Sequence, residues 1–215
     1  MILIPAHLFQ EFQLPHSPKQ TEKQKRIADA AIRLFAEKGY SNTSTAEIAK
    51  TANVSEASIF KHYGTKDKFL LSLIIPYFKE IFPSTADETL NRMVSSSDSF
   101  EDFLFSMLKN RSQFIAENKE IFLVLIKELV YKEELKNEFV SYFSSCVTPR
   151  LIKAIELFKE RDELVPVPAE QIVRMLFTFV GGFLISRYAL LNVEFIPDDE
   201  LKDAVRFVMD GIRQN

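Results

Sequence analysis

One cysteine among 215 residues leaves no partner for an intramolecular disulfide and excludes a cysteine-based zinc site. We expect that residue, Cys146, to be a small buried apolar side chain rather than a reactive thiol. Glycine is also scarce, with five in the chain, and turn signals lie far apart, which favours helices over a β-sheet. Tryptophan is absent, but twenty phenylalanines provide aromatic area that fills a core or lines a cavity.

Catalytic motifs are also missing. The sequence contains no glycine-rich phosphate loop, no HExxH pattern and no supported pairing of a nucleophile with a base. The one histidine that follows the N-terminal tail is His62. We therefore expect neither an enzyme nor a metal site, and we predict no cofactor.

Targeting and membrane-spanning signals are weak. The first twenty residues begin with apolar side chains but lack a basic region and a cleavage site, so we do not expect a signal peptide. The longest apolar run, residues 175–186, is too short to span a bilayer and is followed by Arg187. The sequence therefore predicts a cytoplasmic protein with no membrane partner.

The net charge of −3 hides an uneven distribution. Residues 19–68 hold ten Lys or Arg and six Asp or Glu, whereas the remainder of the chain holds seventeen basic and twenty-four acidic side chains. A basic segment on an acidic body suggests that an anionic partner contacts only the N-terminal part of the protein.

Residues 21 to about 82 have the pattern of four helices. The first helix carries an apolar stripe at helical spacing, formed by Ile27, Ala31, Leu34 and Phe35. Side-chain oxygens at residues 43–45 cap a short second helix, and Asn53 suits the left-handed conformation of the turn that follows. Ser55 then caps a third helix over residues 56–62. Two short helices joined by such a turn form a helix-turn-helix.

The rest of the chain also has helical periodicity, which predicts an all-α protein. Thr65 caps the fourth helix, in which we expect Pro76 to produce a kink. Pro149 should kink or divide the long periodic segment 132–164. The remaining predicted helices are residues 99–118, 120–131, 169–191 and 198–215.

Six sequence elements follow one another in residues 27–71, IADAAIRLFAEKGYSNTSTAEIAKTANVSEASIFKHYGTKDKFLL. They are a helix, a Gly-Tyr stop, a Thr/Ser trio, Val-Ser, an Ile-aromatic-x-His-aromatic run and Thr-Lys-Asp. As a set, these elements resemble the N-terminal domain of the tetracycline-repressor (TetR) family of one-component regulators. The resemblance extends over residues 22–70, about a quarter of the chain. It implies an N-terminal three-helix helix-turn-helix DNA-binding domain at residues 21–67. A tail at residues 1–20 would precede it, and a C-terminal helical ligand-binding and dimerisation domain at 68–215 would follow.

The resemblance implies that the third helix enters the major groove of double-stranded operator DNA as the recognition helix. The residues expected to read base edges are Glu56, Ala57, Ser58 and Lys61, with Thr45 reaching from the second helix. The residues expected to contact phosphates are Thr43, Ser44, Ser55, His62 and Lys66. Phe60 stands where the family usually has a tyrosine, so it lacks the hydroxyl that would donate to a phosphate.

These assignments have simpler alternatives. Lys61 and Lys66 could be solvated surface lysines, His62 could cap the third helix internally, and Phe60 could belong to the core. The basic segment as a whole could instead bind an acidic protein or a membrane surface.

The resemblance further implies a homodimer in which the last two helices of each subunit pair across a two-fold axis. Small and apolar residues on these helices are the interface candidates, namely Gly181, Gly182, Leu201, Val205 and Val208. The alternative is a monomer in which the glycine-containing helix is an internal core helix.

The resemblance also implies a pocket for a small, hydrophobic effector that releases a repressor from a palindromic operator. The candidates to line it are Phe103, Met107, Phe114, Phe122, Phe143 and Phe177, each of which also suits an ordinary core. Four arginines interrupt apolar stripes and either anchor an anionic ligand or pair with acidic side chains, namely Arg111, Arg150, Arg174 and Arg187.

Overall fold

A computed structural model describes residues 21–81 and 97–212 of the chain. The secondary structure in these ranges is helical and includes no β-strand, which confirms the predicted all-α class. The tail predicted at residues 1–20 lies outside the described residues. The α-helices are α1 (Glu22–Lys38), α2 (Thr45–Ala52), α3 (Glu56–Tyr63), α4 (Lys66–Ile81), α5 (Phe100–Glu117), α6 (Lys119–Tyr131), α7 (Glu133–Tyr142), α8 (Thr148–Lys159), α9 (Ala169–Ile185) and α10 (Asp198–Ile212).

The described residues pack into two compact units. Unit 1 is formed by residues 21–80 and 117–139, so it holds α1 to α4 together with α6 and the first part of α7. Unit 2 is formed by the described residues of 81–116 and 140–215. These two units are defined by how the residues pack. The predicted boundary at residue 67 separates a DNA-binding domain from a ligand-binding domain, which packing does not test, so it stays a prediction.

α1 owes its limits to two local signals. At its start, the Thr21 hydroxyl accepts a hydrogen bond from the Gln24 N–H (3.2 Å), and the Gln24 side chain accepts one from the Thr21 N–H (2.8 Å). At its end, Gly39 has a φ of 83°, which an L side chain rarely adopts, and its N–H donates to the Phe35 carbonyl (3.0 Å). The predicted stripe of Ile27, Ala31, Leu34 and Phe35 is buried.

α2 and α3 form the predicted helix-turn-helix. The Ser44 hydroxyl caps α2 by accepting a hydrogen bond from the Glu47 N–H at 3.1 Å. Asn53 has the predicted left-handed conformation, with a φ of 54°, and reverses the chain between the two helices. Ile48 and Ile59 are fully buried and join both helices to the core under α1.

α4 begins where the sequence predicts, because the Thr65 hydroxyl accepts a hydrogen bond from the Lys68 N–H at 3.2 Å. Its apolar face buries Phe69, Leu70 and Ile74. The helix continues through Pro76 to Ile81.

Tyr40, which follows α1, joins three parts of unit 1. Its ring is buried, and its hydroxyl donates to Asp67 Oδ1 (2.8 Å) in the first turn of α4. Lys132, which follows α6, donates to the same carboxylate oxygen (2.5 Å) and lies 4.4 Å from the Tyr40 ring centroid. Because α6 also packs against α1, residues 119–132 are part of the structural support of the helix-turn-helix.

These contacts shift the pKa values of their members. The hydrogen bonds from Lys132 and from Tyr40 lower the pKa of Asp67. Burial, followed by the hydrogen bond to Asp67, raises the pKa of the Tyr40 hydroxyl. Asp67 is therefore ionised and Tyr40 is neutral at physiological pH, which is the state in which the hydroxyl donates and the carboxylate accepts.

Unit 2 has an aromatic core. The ring of Phe158 lies 5.2 Å from that of Phe100 and 5.4 Å from that of Phe103. Tyr188 is fully buried, and its hydroxyl donates to the Ser112 carbonyl at 2.9 Å. Phenylalanine side chains therefore fill the core of this unit. This is one of the two roles predicted from composition, the other being to line a cavity.

The chain is helical without a break from residue 133 to residue 159, so Pro149 does not divide the long segment, and the alternative prediction of a kink there stays a prediction. The chain leaves α7 through a π-helical turn, Phe143–Val147, and Pro149 lies in the first turn of α8, where its missing N–H costs nothing. Cys146 lies in this π-helical turn and is half-buried, so the expectation of a buried cysteine was wrong.

α9 and a second π-helical turn, Ser186–Leu190, form a long apolar segment. Within the described residues, Ala169–Leu190 is the one helical stretch long and apolar enough to cross a membrane by length and composition. It is longer than the run at residues 175–186, but a helix that packs on protein passes the same test. Only 22% of its most apolar window is buried in this chain, so much of its apolar surface is exposed.

α10 corrects part of the predicted dimer interface. Leu201 and Val205 are 1% and 2% exposed, because they belong to the stripe that packs into unit 2. They therefore cannot line a surface for a partner, and Val208 is only half-exposed. The exposed apolar residue of α10 is instead Phe207, at 71%, whose ring stacks on that of Phe179 with centroids 5.6 Å apart.

We predict that Asp67→Asn lowers the melting temperature by about 1–3 °C at pH 7, since it removes the charge that Lys132 and Tyr40 hold in place. The folded-state pKa of Asp67 lies below the ordinary 3.8, so the wild-type advantage is present above pH 3.8 and disappears as the pH falls through the depressed pKa. Circular-dichroism melts over a pH series test this.

The matched control is Asp203→Asn, which removes the same charge from an exposed position on α10. A difference between wild type and Asp67→Asn that does not change between pH 7 and pH 3 would contradict the role assigned to Asp67.

Candidate nucleic-acid interface

The outward face of α3 is defined by the burial of its opposite side. Ile59 is 1% exposed and anchors the helix on the core of unit 1. Ala57, Lys61 and His62 are exposed, and Phe60 is 47% exposed. Ala57, Phe60 and Lys61 lie within about 100° of one another around the helix and share one face, whereas His62 is exposed beyond Ser58. The alternative assignment of Phe60 to the core was wrong.

A hydrogen bond fixes one side of α3 to α2. The Thr45 hydroxyl donates to the Glu56 carboxylate, and both side chains are half-buried. Two residues expected to read bases independently are therefore paired with each other. This bond spans the turn of the helix-turn-helix and sets how α3 leaves it.

A second hydrogen bond fixes the other side of α3 to α1. The Lys23 ammonium donates to Ser58 Oγ at 2.8 Å, and Ser58 Oγ lies 2.8 Å from Ser55 Oγ. Ser55 occupies the N-cap position, but its hydroxyl makes no capping hydrogen bond, so the predicted side-chain cap was wrong. Because Glu56 and Ser58 are about 200° apart around a helix, α3 is held from two sides. Sequence reasoning missed Lys23, since the excess of basic residues was the only signal and no spacing rule relates residue 23 to residue 58.

Two residues predicted to contact phosphates do not have accessible side chains for that role. Thr43 is 2% exposed, and its hydroxyl donates to the carbonyls of Leu34 (3.2 Å) and Gly39 (3.0 Å). Lys66 is half-buried, with its ammonium 4.1 Å from the Tyr40 ring centroid and donating to the Tyr40 carbonyl. Both assignments are therefore corrected: these side chains support the fold of unit 1.

The environment of Lys66 also shifts its pKa. Burial, followed by the nearby Lys132 ammonium, lowers the pKa of Lys66. On the same turn of α4, Lys68 is exposed. Lys68 therefore replaces Lys66 as the accessible cation at the start of α4, where free N–H groups and the helix dipole favour an anion.

The end of α3 does not require His62. Gly64 follows the helix with a φ of 77°, and its N–H donates to the Phe60 carbonyl at 2.9 Å. The His62 ring is exposed and lies edge-on to Tyr63, with centroids 6.2 Å apart. The accessible surface therefore includes the imidazole, and the backbone supplies the cap.

The predicted pocket residues are divided between the two units. Phe122 lies in unit 1, and the other five lie in unit 2. Phe103 packs tightly with Phe100 and Phe158, which supports the alternative of an ordinary core residue. Phe143 and Phe177 contact each other, with centroids 4.2 Å apart. An effector pocket formed by this set stays a prediction.

Three of the four arginines considered as ligand anchors contact protein groups. Arg187 pairs with Glu200, Arg150 donates to the Cys146 carbonyl, and Arg111 donates to the Asn110 side chain. Arg174 is exposed on α9. The contacts favour the structural alternative for the first three.

Comparison with known proteins agrees with the helix-turn-helix. Residues 27–73 match the model of the bacterial regulatory proteins of the tetR family. The uncharacterized HTH-type transcriptional regulator YuxN of Bacillus subtilis is 32% identical over 120 residues, which cover 54% of this chain and 38% of that protein. The chain thus spans less than half the length of this relative.

Two further comparisons extend beyond the N-terminal helices. The icaADBC biofilm-operon negative transcriptional regulator IcaR of Staphylococcus epidermidis is 26% identical over 159 residues, 72% of this chain and 78% of that protein. The crystal structure of the TetR family regulator PfmR from Thermus thermophilus superposes with a TM-score of 0.68 over 86% of this chain and 97% of that one, at 17% identity. At this identity the superposition shows a shared fold. It confirms the predicted pair of N-terminal helix-turn-helix and C-terminal helical domain.

We predict that Thr45→Val, which removes the hydroxyl but keeps the branched shape, lowers the free energy of unfolding by about 1 kcal/mol. In a double-mutant cycle with Glu56→Ala, the coupling should be at least about 0.5 kcal/mol if the Thr45–Glu56 bond orients α3. Urea unfolding measures both quantities. Thr51→Val, at an exposed position of α2, is the matched control, and equal effects at residues 45 and 51 would count against the bond.

Proposed function

The chain belongs to the tetR family of bacterial regulatory proteins, and we propose that it is a transcriptional regulator that binds operator DNA through α3. The observation that carries the proposal is the exposed face of Ala57, Phe60 and Lys61 on a helix anchored by Ile59. The family consists of regulators and not of enzymes, which agrees with the lack of catalytic motifs.

The dimensions and charge of α3 support this role. An α-helix with its side chains is about 10–12 Å in diameter, so α3 fits the major groove, which is about 12 Å wide. Lys61 lies on the outward face, where its ammonium would donate to guanine O6 or N7. The excess of basic residues in this segment attracts the phosphate backbone and leaves the acidic remainder away from it.

Phosphate contacts would come from the accessible polar side chains around α3. Ser44, Ser55 and His62 are exposed, as the sequence-based assignment requires. Lys68 takes the place first given to Lys66. Such contacts set the register of the protein on DNA and leave sequence reading to α3.

A homodimer is the second part of the proposal. Gly182 on α9 is exposed, and Met175 on the same helix is 54% exposed. A Cβ added at Gly181 or Gly182 would meet nothing within 4 Å, so no contact within the described residues explains these glycines. Since glycine weakens a helix by about 1 kcal/mol relative to alanine, close approach of a partner helix is the reason we propose.

The dimer would use a different part of α10 from the one first expected. In the proposed interface, Phe207 of α10 and Gly182 of α9 take the place of Leu201 and Val205. A two-fold dimer presents two copies of α3 to half-sites of a palindromic operator, about 34–36 Å apart. DNA as the partner also implies a cytoplasmic location.

We also propose that a small, mainly apolar effector controls DNA binding, and that the protein acts as a repressor. The related IcaR is named a negative regulator, which supports repression. The aromatic side chains of unit 2, such as the neighbouring Phe100 and Phe158, support an apolar effector. Reciprocal linkage then requires operator DNA to weaken effector binding by the same factor as the effector weakens DNA binding.

A gel shift and footprint on DNA from upstream of the gene, at two salt concentrations, test the regulator proposal. We expect a protected two-fold-symmetric site, and a loss of affinity of about fivefold or more in Lys61→Ala, because a good base-edge contact discriminates by about 1–3 kcal/mol. Lys153→Ala removes the same charge from an exposed position of unit 2 and should bind like wild type.

The rival proposal is that the basic segment binds an acidic protein or a membrane surface. Salt-sensitive DNA binding without a footprint, and without operator selection from random sequences, would favour that rival. Equal losses in Lys61→Ala and Lys153→Ala would show that charge alone is responsible.

Sedimentation equilibrium of Gly182→Ala and Gly182→Leu tests the dimer. If α9 pairs with a partner, both variants should weaken the dimer, the leucine variant at least tenfold. If the chain is a monomer, Gly182→Ala should leave the mass unchanged and stabilise α9 by up to about 1 kcal/mol, because its Cβ meets no neighbour.

A further inference from the structure

We propose that Phe60, together with Ala57, contacts the C5 methyl group of a thymine in each operator half-site, so that this base is read by an apolar contact. The inference rests on the proposed DNA binding and specifies the chemistry of the base that α3 requires. It concerns the outward face of α3, where Ala57 is exposed and Phe60 is 47% exposed.

The first step is that the polar side chains at the two edges of α3 already have protein partners. Glu56 accepts a hydrogen bond from Thr45, and Ser58 accepts one from Lys23. Both partnerships are half-buried. What α3 presents between these edges is the methyl group of Ala57, the ring of Phe60 and the ammonium of Lys61.

The second step is that Ala57 and Phe60 form one apolar patch. Residues three apart on a helix are neighbours on its surface, so the methyl group of Ala57 and the ring of Phe60 lie side by side. Folding buries the adjacent Ile59 completely but leaves nearly half of Phe60 in water. The ring has no hydroxyl and cannot donate to a phosphate, so covering it with an apolar group is the contact that it gains in a complex.

The third step identifies the occupant. In the major groove, the edges of the four base pairs present hydrogen-bonding groups and one apolar group, the C5 methyl of thymine. An apolar patch on a helix that enters this groove is therefore complementary to thymine. Lys61 lies one turn from Ala57 and selects acceptors, of which guanine O6 and N7 are the best placed. The half-site should therefore contain a thymine close to a guanine.

The test removes only the methyl group. In the footprinted operator, each thymine of a half-site is replaced in turn by deoxyuridine, which pairs identically but lacks the C5 methyl. We expect one thymine per half-site at which this replacement weakens wild-type binding about fourfold, the value for one buried methyl. In Phe60→Ala, the same replacement should have no further effect.

Two other variants separate this contact from general damage. Phe60→Leu keeps an apolar side chain and should keep part of the uracil penalty. Lys61→Ala should weaken binding to both DNAs but leave the uracil penalty at its wild-type value. Circular-dichroism melts check that the variants are folded. If Phe60→Ala does not fold, the uracil penalty of Phe60→Leu decides the test.

Three results would overturn the inference. The first is wild-type binding that is insensitive to uracil at every position. The second is a uracil penalty of the same size in wild type and in Phe60→Ala. The third is the lack of any protected site, which would remove the proposed function as well. In the first two cases DNA binding would stand and only the thymine contact would fail.

Discussion

The attachment of α3 to the rest of unit 1 is the constraint on which the proposed interface depends. Among its eight residues, Ile59 is the one that is fully buried. The ring of Tyr63, at the end of the helix, adds a contact with Phe69, with centroids 4.3 Å apart. The hydrogen bonds from Thr45 to Glu56 and from Lys23 to Ser58 further fix the orientation of the helix. These bonds also determine what α3 can present. By engaging the polar edges, they leave an apolar and singly charged surface facing outward.

The sequence predicts most of the local structure because the relevant signals are short in range. The caps at Thr21, Ser44 and Thr65 and the left-handed Asn53 follow from the chemistry of a few adjacent residues. The roles of polar side chains are harder to predict, because they depend on contacts distant in sequence. Thr45 and Glu56 each look like independent base readers until the turn brings them together.

Two lysines show most clearly why the roles of polar side chains are hard to predict from sequence. Lys66 and Lys68 occupy the same turn of α4 but leave the helix in directions about 200° apart, so their surroundings differ. The difference is made by Tyr40, twenty-six residues earlier, whose ring and carbonyl hold Lys66. A similar ambiguity affects α10, which has an inward apolar stripe and an outward Phe207. Periodicity identifies the stripe, and packing alone decides which side it faces.

Residues outside the helix-turn-helix also belong to its structural unit, and this bears on control. α6 packs against α1, and Lys132 at its end holds Asp67 in the first turn of α4. Tyr40 donates to the same carboxylate, so the end of α1, the start of α4 and the end of α6 share one ionic contact. The effector proposed above, were it to displace α6, would either carry α4 with it or break this contact. Because Asp67 is exposed, breaking it costs little, and the contact suits a coupling that has to be reversible.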